Sequence, residues 1–328
     1  MLRHIFRRVL SMIPVLFMIS ILSFGVIQAP PGDFVDAYVD DQRAEGFPVT
    51  PEVEAAYRVR YGVDEPMVEQ YFSWIGGVLT GDLGISLQQQ APVKDIISER
   101  LPFTILIGTM SFIFLNAIAI PIGILSATRQ YSMADYVFSI LGFLAMGIPD
   151  FILAIVVIWS VFQATGDVSV GLMDPEFVGQ AWSVGKFTNV VGHLWLPALI
   201  AAATGTAGTI RILRANLLDE LEKPYVTVAR AKGLPRRKLL YKYPLRMALN
   251  PFVVGAAGIL PGLVSGELIV SLTLGIPTLA PVFLTSLEQQ DMQLAGSIVL
   301  ILSTLTVVGI LISDILLAVI DPRIRDSV

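Results

Sequence analysis

Long uncharged apolar runs dominate the chain and take the place of the one-faced or alternating patterns of a soluble protein. An α-helix rises 1.5 Å per residue and the hydrocarbon core of a bilayer is about 30 Å thick, so about 20 apolar residues cross it. Strands of a membrane barrel would instead show about ten residues of alternating character. The pattern therefore predicts an all-α integral membrane protein with six transmembrane helices. The predicted spans are residues 9–28, 101–128, 136–166, 194–210 with an extension back to 190, 248–271 and 292–320.

The apolar stretch after the fifth predicted span continues to Leu287, which is too long for a single crossing. Gly275, Pro277 and Pro281 interrupt this stretch, and both residue types break helices. We therefore predict that residues 272–287 form a short non-spanning segment that returns toward the interface.

The amino-acid composition agrees with a membrane protein and excludes several kinds of functional site. Hydrophobic residues make up 54% of the 328 residues and charged residues 15%, whereas soluble domains carry about 25% charged residues. That balance excludes an ordinary water-soluble enzyme. The chain has no cysteine and only two histidines, His4 and His193, which lie far apart in the sequence. Disulfides, thiolate sites and a cysteine nucleophile are therefore excluded, and a metal site is disfavoured.

Lysine and arginine are distributed unequally between the two sides of the predicted spans. Both termini and the connections after the second and fourth spans contain 16 of the 22 basic residues. The opposite side contains the other six, together with thirteen Asp and Glu in residues 33–99. Because basic residues collect on the cytoplasmic side, both termini are predicted to be cytoplasmic. A cleaved signal peptide is disfavoured, since the first apolar run is about twice the usual length and no small-residue cleavage site follows.

The spans divide the chain into three predicted regions. They are residues 1–28, the cytoplasmic N-terminus and first span; residues 29–100, an extracytoplasmic helical cap; and residues 101–328, a five-helix core with an inner loop at 211–247.

The predicted cap contains two helix signals. Thr50 and Pro51 are typical of a helix start. A second helix is predicted over residues 65–79, with one apolar face formed by Val68, Tyr71, Phe72 and Ile75. This face either packs on the outer ends of the spans or docks a component delivered from outside.

The inner loop between the fourth and fifth spans has the most distinctive sequence. Residues 211–246 contain ten basic side chains. Pro224 suits a first helical turn and Gly233 suits the left-handed residue that ends a helix, so residues 225–232 are predicted to form two helical turns. Arg236 begins a second helix, and its basic first turn is explained by contact with anionic lipid. Basic charge alone would orient the chain in the membrane. The short capped helix and the turn at Gly233 are not needed for that purpose, so they indicate a compact protruding element.

This loop resembles the cytoplasmic EAA loop of permease subunits of bacterial ATP-binding-cassette importers. Ala229 stands four residues before Gly233, as in that loop, and residues 225–234 are similar to the dipeptide and oligopeptide branch. Thr227 and Val228 stand where the general motif has Glu and Ala, a departure that the peptide branch shares. Other segments that resemble the branch are residues 81–86, 92–93, 100–104 and 321–325, so the resemblance covers essentially the whole chain. The aromatic residue and Pro-Gly turn that usually follow Glu267 are missing, which leaves the solute open.

The resemblance implies a fold like that of type I importer permeases, with a cytoplasmic coupling helix that docks in a cleft of an ATPase subunit. The residues so assigned are Tyr225, Val226, Thr227, Val228, Ala229, Arg230, Ala231 and Lys232 for the contact, and Gly233, Leu234 and Pro235 for the bend. The sequence lacks a Gly-x-x-x-x-Gly-Lys-Ser/Thr phosphate loop, so no cofactor is expected to bind directly, and partner subunits would use ATP and Mg²⁺. The implied partners are a second related permease, two ATPase subunits, an extracytoplasmic binding protein and membrane lipid, without nucleic acid.

Three acidic residues lie at predicted membrane depth, where a carboxylate costs about 2.5 to 3.5 kcal/mol on insertion scales. Asp150 follows Pro149 midway in the third span, and a proline there frees a carbonyl and bends the helix. Pro149, Asp150 and Glu267 are therefore candidate pathway residues, although structural hydrogen bonding explains the two acids equally well. Asp314 lies near the cytoplasmic end and is better explained by hydrogen bonding between helices.

Several functions remain open from the residues themselves. Peptides are the leading solute for the resembled branch, with oligosaccharides or a nickel chelate as alternatives for the same machinery. A proton-coupled secondary transporter would use Asp150 and Glu267 as relays, but it gives no reason for the shaped loop and usually shows inverted repeats. An intramembrane aspartyl protease would pair Asp150 with Asp314, but the expected Gly-x-Gly-Asp context is missing. The preferred interpretation is half of the translocation pathway of an ATP-driven importer.

Overall fold

The computed structural model describes residues 2–86, 88–166, 171–250, 252 and 268–320. The first elements are α1 (Leu2–Ile27), α2 (Phe34–Ala44), α3 (Pro51–Tyr61), α4 (Met67–Thr80), β1 (Ile85–Ser86) and β2 (Ala91–Pro92), and the two strands pair antiparallel. The helices that follow are α5 (Val93–Thr128), α6 (Met133–Gly147), α7 (Asp150–Thr165), α8 (Val184–Leu221), α9 (Pro224–Ala231), α10 (Arg236–Lys242), α11 (Pro244–Ala248), α12 (Leu268–Leu274), α13 (Leu279–Glu288) and α14 (Met292–Ile320). A short 3-10 turn at Pro175–Phe177 precedes α8.

Three of these helices are long and apolar enough to cross a membrane. They are Phe6–Ile27 within α1, Val93–Thr128, and Met292–Ile315 within α14. Three bent helix pairs in the described ranges bring the number of spans to as many as six: α6 with α7, the two parts of α8, and α12 with α13. The predicted all-α membrane fold is confirmed, and the first, second and sixth spans lie where the sequence places them.

The third predicted span is broken into two helices. α6 ends at Gly147, α7 begins at Asp150, and the two helices are bent by 107°. Ile148 adopts an extended conformation, as a residue before proline usually does because the ring clashes with α-helical backbone at that position. Pro149 is the N-cap of α7. The predicted bend at Pro149 is therefore confirmed, but it divides the segment into two helices, and Asp150 begins a helix instead of lying midway in one.

The remaining spans differ in length from the prediction or lie partly outside the described residues. α8 has 38 residues and extends well beyond the predicted fourth span at both ends. Residues 253–267, most of the predicted fifth span together with Glu267, are outside the described residues. The break that follows is confirmed, since Gly275 has a φ of 62° and α12 and α13 are bent by 96°. The short segment after this break is Leu279–Glu288, because α12 continues to Leu274.

The chain divides into two compact units. The first comprises Met1–Thr104 with Pro277–Leu311, and the second comprises Ile105–Ile276 with Ile312–Val328. One core of the first unit joins the start of α5 to α13 and α14 through Val93, Ile96, Ile97, Leu279, Leu294 and Ile298. In the second unit, the ends of α5 and α8 pack on α11 through Ala127, Leu213, Leu217, Leu245 and Ala248. The first unit is therefore assembled from the two ends of the sequence.

The cap, residues 29–100, begins with a helix that the sequence analysis missed. In α2, the Asp33 side chain accepts the N–H groups of Val35 and Asp36 at 2.9 and 3.0 Å and forms a capping box with Asp36. α3 begins at Pro51 after Thr50, as predicted. Its Arg58 forms ion pairs with Asp33, Asp36 and Asp64, at 2.9, 2.8 and 2.8 Å. This cluster attaches α3 to the start of α2.

The apolar stripe of α4 does not pack as a single face. Tyr71 is buried, with its ring 5.5 Å from that of Phe24 on α1, and the half-buried Trp74 lies beside them. Val68 and Phe72 are 66% and 62% exposed. Of the two alternatives for the predicted apolar face, packing therefore applies to Tyr71 and Ile75, while Val68 and Phe72 are exposed. The helix turns its Tyr71–Trp74 side to its neighbours, and these residues are three positions apart.

Residues of β1 attach the cap to α14. The Ser86 hydroxyl donates to the Asp291 carboxylate at 2.6 Å, and the Ile85 N–H donates to the Gln293 side chain at 2.8 Å. Asp291 also accepts the Leu294 N–H at 3.1 Å, so it caps the start of α14. Burial raises the pKa of Asp291, and its hydrogen bonds oppose that shift.

Small residues let α5 approach α8 closely within the second unit. A side chain at Gly205 of α8 would meet Leu115 at 2.8 Å, and one at Gly123 of α5 would meet Leu213 at 2.9 Å. Such contacts are typical of packed membrane helices, where small residues allow close backbone approach.

Candidate functional site

The inner loop folds into a short helix with a defined start and end, as predicted. α9 begins at Pro224, and Lys223 before it is extended. Gly233 ends the helix with a φ of 78°, and its N–H donates to the Arg230 carbonyl at 3.0 Å. Apart from the glycine and its two chain neighbours, no atom of the described residues lies within 4 Å of the position that a Gly233 Cβ would occupy. The backbone angle, and not a lack of space, therefore favours glycine here.

One face of α9 anchors it to the protein. Val226 and Ala229 are 0% and 7% exposed and pack against the buried Leu239 of α10. Leu234 and Tyr243 border this cluster. Full burial of an aliphatic side chain contributes about 1.5–3 kcal/mol, so Val226 alone accounts for a substantial part of the attachment.

The other side chains of α9 face outward. Tyr225 is 39% exposed and Val228 is 54% exposed. The remaining exposed side chains of α9 are Pro224, Thr227, Arg230 and Ala231, and the exposed Lys232 follows the helix. The Tyr225 hydroxyl donates to Glu220 at the end of α8, and burial, together with this carboxylate, raises the pKa of Tyr225. Tyr225 therefore remains a neutral donor that links α9 to α8.

A groove of about 530 Å³ lies between α9 and the segment from α10 to Asn250. Val228 and Met247 contribute apolar wall, and the cations that line it are Lys232, Lys242 and Arg246. Among the described residues that line the groove there is no carboxylate. The groove is therefore complementary to a surface that presents apolar and acidic side chains.

Arg236, the first residue of α10, makes a contact that the sequence analysis did not foresee. Its guanidinium donates to the carbonyl of Thr128, the last residue of α5, at 3.2 Å. Carbonyls at a helix end lack an intrahelical partner and carry partial negative charge, so a cation is favourable there. At least one of the basic residues assigned to lipid contact therefore binds protein.

An ion pair between α6 and α8 is a second feature absent from the sequence analysis. Arg214 donates to both oxygens of Asp135 at 2.9 Å, and the Asp135 side chain is only 5% exposed. The backbone N–H of Tyr131 donates to the same carboxylate at 3.0 Å. The available signal was a single acid at the start of an apolar run, after the N-cap Ser132. This pair fixes the part of α8 that leads to α9.

The candidate pathway residues are only partly placed. Pro149 and Asp150 begin α7, and Asp150 is half-buried in its first turn, where the helix dipole favours a negative charge. Glu267 is outside the described residues. Asp314 is half-buried in α14. Within the described ranges, no group of three or more His, Asp or Glu side chains is arranged to bind a metal ion.

Comparison with known proteins gives the family. A model of binding-protein-dependent transport system inner membrane components matches residues 119–326, and a model of the N-terminal part of such components matches residues 1–108. The chain is 34% identical to the oligopeptide transport system permease protein AppB of Bacillus subtilis (strain 168), over 98% of this chain and 99% of that protein. It is 30% identical to the dipeptide transport system permease protein DppB of Escherichia coli (strain K12), over 99% of each chain. It is 29% identical to the oligopeptide transport system permease protein OppB of Haemophilus influenzae, over 99% of this chain and 100% of that protein.

The apolar helices agree with this match, since an inner membrane component of this kind crosses the membrane several times. The chain therefore belongs to the family of inner membrane components of binding-protein-dependent transport systems.

Proposed function

We propose that this permease subunit, which is not itself an ATPase, forms half of the translocation pathway of an ATP-driven importer of di- or oligopeptides. Relatives that match nearly the full length of the chain are named as peptide permeases, which supports this solute class. The proposal places the cap on the outer side of the membrane and both termini in the cytoplasm.

In this proposal α9 is the coupling helix. The observation that carries it is the division of α9 into an anchored face, Val226 and Ala229, and an outward face that includes Tyr225 and Val228. A helix packed on one side and exposed on the other transmits a push to the segments that hold it. Contact with an ATPase subunit extends over residues 225–232, and Gly233 to Pro235 set the bend.

The contacts of α9 give a route for the movement. The buried face of α9 contacts Leu239 of α10, and α10 leads directly into α11. Leu245 of α11 packs with Leu213 and Leu217 of α8. Since the Tyr225 hydroxyl also reaches the end of α8, displacement of α9 acts on α8 from two directions. Such packed contacts pass on rigid-body movement because interiors are dense and barely compressible.

The complete importer then requires further chains. It contains a second related permease, two ATPase subunits that use ATP and Mg²⁺, and a binding protein that delivers solute to the outer side. The solute path in this chain includes Pro149, Asp150 and Glu267.

The test uses single cysteines, because the chain contains none of its own. Val228→Cys places a thiol on the outward face of α9. In the assembled importer it should react with a maleimide much more slowly than in the permease pair without ATPase subunits, and it should form cross-links to an ATPase subunit.

Two variants serve as controls for this experiment. Val226→Cys, on the buried face, should react slowly in both states, and Val59→Cys in the cap, where Val59 is 83% exposed, should react rapidly in both. Equal labelling of Val228→Cys with and without ATPase subunits would contradict the coupling role.

A further inference from the structure

A second cavity lies beside the cap and is remote in sequence from the inner loop. Its volume is about 280 Å³, and the end of α1, the end of α3, α4 and the start of α14 line it. All of these parts belong to the first compact unit. The volume equals roughly nine waters of about 30 Å³ each and lies just below the usual range for small-molecule sites, about 300–1,000 Å³. It therefore suits a very short peptide better than a long one.

Charges of both signs line this cavity without neutralising each other. The guanidinium of Arg60 lies 5.7 Å from the centre of the Tyr61 ring and forms no ion pair with any residue in the described ranges. Glu65 and Asp82 also line the cavity, and neither pairs with a described cation. Arg58, two positions before Arg60, is by contrast occupied by three carboxylates.

The carboxylates are held in place by local contacts. One oxygen of Asp82 accepts the Gly84 N–H at 3.0 Å, which leaves the other oxygen for a ligand. The Glu65 carboxylate lies against Gly62, where an added Cβ would be 3.1 Å from its carbon. Gly62 has a φ of 63° and ends α3, so the turn that requires glycine also leaves room for Glu65.

Amides and aromatic rings form the rest of the wall. Gln28 donates to Gln70 at 3.1 Å, and the Gln293 side-chain oxygen accepts the Ile85 N–H at 2.8 Å. The other amide atoms, Gln28 Oε1 and Gln293 Nε2, are an acceptor and a donor, the types of group that bind a peptide N–H and a peptide C=O. Rings of Phe24 and Trp74 supply apolar surface.

We propose that this cavity binds a short zwitterionic peptide by its two charged ends. Arg60 binds the C-terminal carboxylate, since guanidinium and carboxylate match in charge and geometry. Glu65 and Asp82 bind the N-terminal ammonium group. The proposal rests on the function proposed above for the solute class, and it deepens that function by assigning the permease its own recognition of free peptide ends.

The experiment measures binding of alanyl-phenylalanine to the assembly of the two permeases and two ATPase subunits in lipid nanodiscs, without the binding protein. Calorimetry should show saturable binding. N-acetylation or C-terminal amidation of the dipeptide should each weaken binding about tenfold or more, because each removes a charge that the cavity pairs.

Variants identify which side chain binds which end of the peptide. Arg60→Gln should weaken binding of the free dipeptide and abolish the difference between the free and amidated forms, while acetylation still matters. The double variant Glu65→Gln with Asp82→Asn should abolish the difference between the free and acetylated forms, while amidation still matters. Arg43→Gln is the matched control, since Arg43 is another exposed cap arginine, is paired with Glu54 at 3.0 Å and does not line the cavity. It should bind like the unaltered protein.

Peptide uptake by the importer with its binding protein is measured in parallel. Normal uptake with absent binding, or with equal binding of free and blocked dipeptides, overturns the cavity assignment and leaves the proposed function intact. Binding that discriminates the blocked ends, in an importer that takes up no peptide, supports the cavity and contradicts the proposed function.

Discussion

Replacement of Gly233 tests the coupling role most directly, because this residue sets the direction in which the chain leaves α9. Its φ of 78° is a conformation in which a residue with a Cβ is less stable by roughly 1–2 kcal/mol, and a β-branched residue by more. No neighbouring atom would clash with the new side chain. The competing response is to abandon the 3.0 Å bond from Gly233 to Arg230, which costs about 0.5–1.5 kcal/mol.

For a β-branched residue the backbone strain exceeds the cost of this one bond, so Gly233→Val should reset the bend, and neither cost is large enough to unfold the protein. The α9 helix would then leave its productive orientation in most molecules, since 1.4 kcal/mol corresponds to a tenfold change in population. Gly233→Asn should be tolerated, because asparagine adopts this conformation more readily than other residues with a Cβ.

The assay is the number of peptides taken up per ATP hydrolysed, in proteoliposomes with ATPase subunits and binding protein. Gly233→Val should lower this ratio about tenfold with unchanged membrane insertion, and Gly233→Asn should stay near the original value. Gly46→Val is the matched control, since Gly46 has a φ of 88° with no neighbour within 4 Å and lies in the cap. A normal ratio for Gly233→Val, or an equal loss for Gly46→Val, would refute the reasoning.

Two further predictions concern buried carboxylates, and both are checked by thermal unfolding in detergent. Arg214→Met leaves the nearly buried Asp135 without its cation and should destabilise the protein by about 3–5 kcal/mol. Asp135→Asn should destabilise it less, because the Arg214 side chain that loses its partner is 28% exposed. Equal losses of stability in the two variants would contradict this. Burial raises the pKa of Asp291 above its unfolded value of 3.8, so the folded state binds this proton more tightly, and its contribution to stability falls as pH rises through the folded pKa. Asp291→Asn should remove that decline in stability with pH and keep the bond to Ser86. Asp291→Ala should lower the free energy of unfolding by about 1–2 kcal/mol, because the N-cap of α14 is lost. An Asn variant with the unaltered pH profile would refute the assignment.

The sequence predicted those parts of the fold that depend on local properties. α1, α5 and α14 were located because crossing a bilayer requires about 20 apolar residues in a row, which is a property of one segment. α9 was located because proline at its start and glycine at its end restrict the backbone directly. The exposed and buried faces of α9 followed only from the structure, since they depend on Leu239 of the next helix.

Features that depend on distant residues were not predictable from one sequence. The pair of Asp135 with Arg214 joins positions 79 apart, and the contact of Arg236 with Thr128 joins positions 108 apart. No local pattern specifies such partners. The start of α2 is stabilised in part by Arg58 of the following helix, a contact that the sequence of α2 does not reveal. The acidic residues of α2 themselves gave no clear periodic signal. Pro149 signalled a disturbance of the third span, but the sequence did not give the size of the bend, which is 107°.

The bond between Ser86 and Asp291 also constrains how the protein is made. It closes the first compact unit across 205 residues. A ribosome that adds about 5–20 residues per second needs roughly 10–40 s for that stretch. Throughout this interval the nascent cap lacks the helix that completes its core, and Tyr71 and Trp74 have no Ala295 or Gly296 to cover them. During every round of synthesis this segment therefore waits in an incompletely packed state, with apolar surface exposed, until α14 has been made.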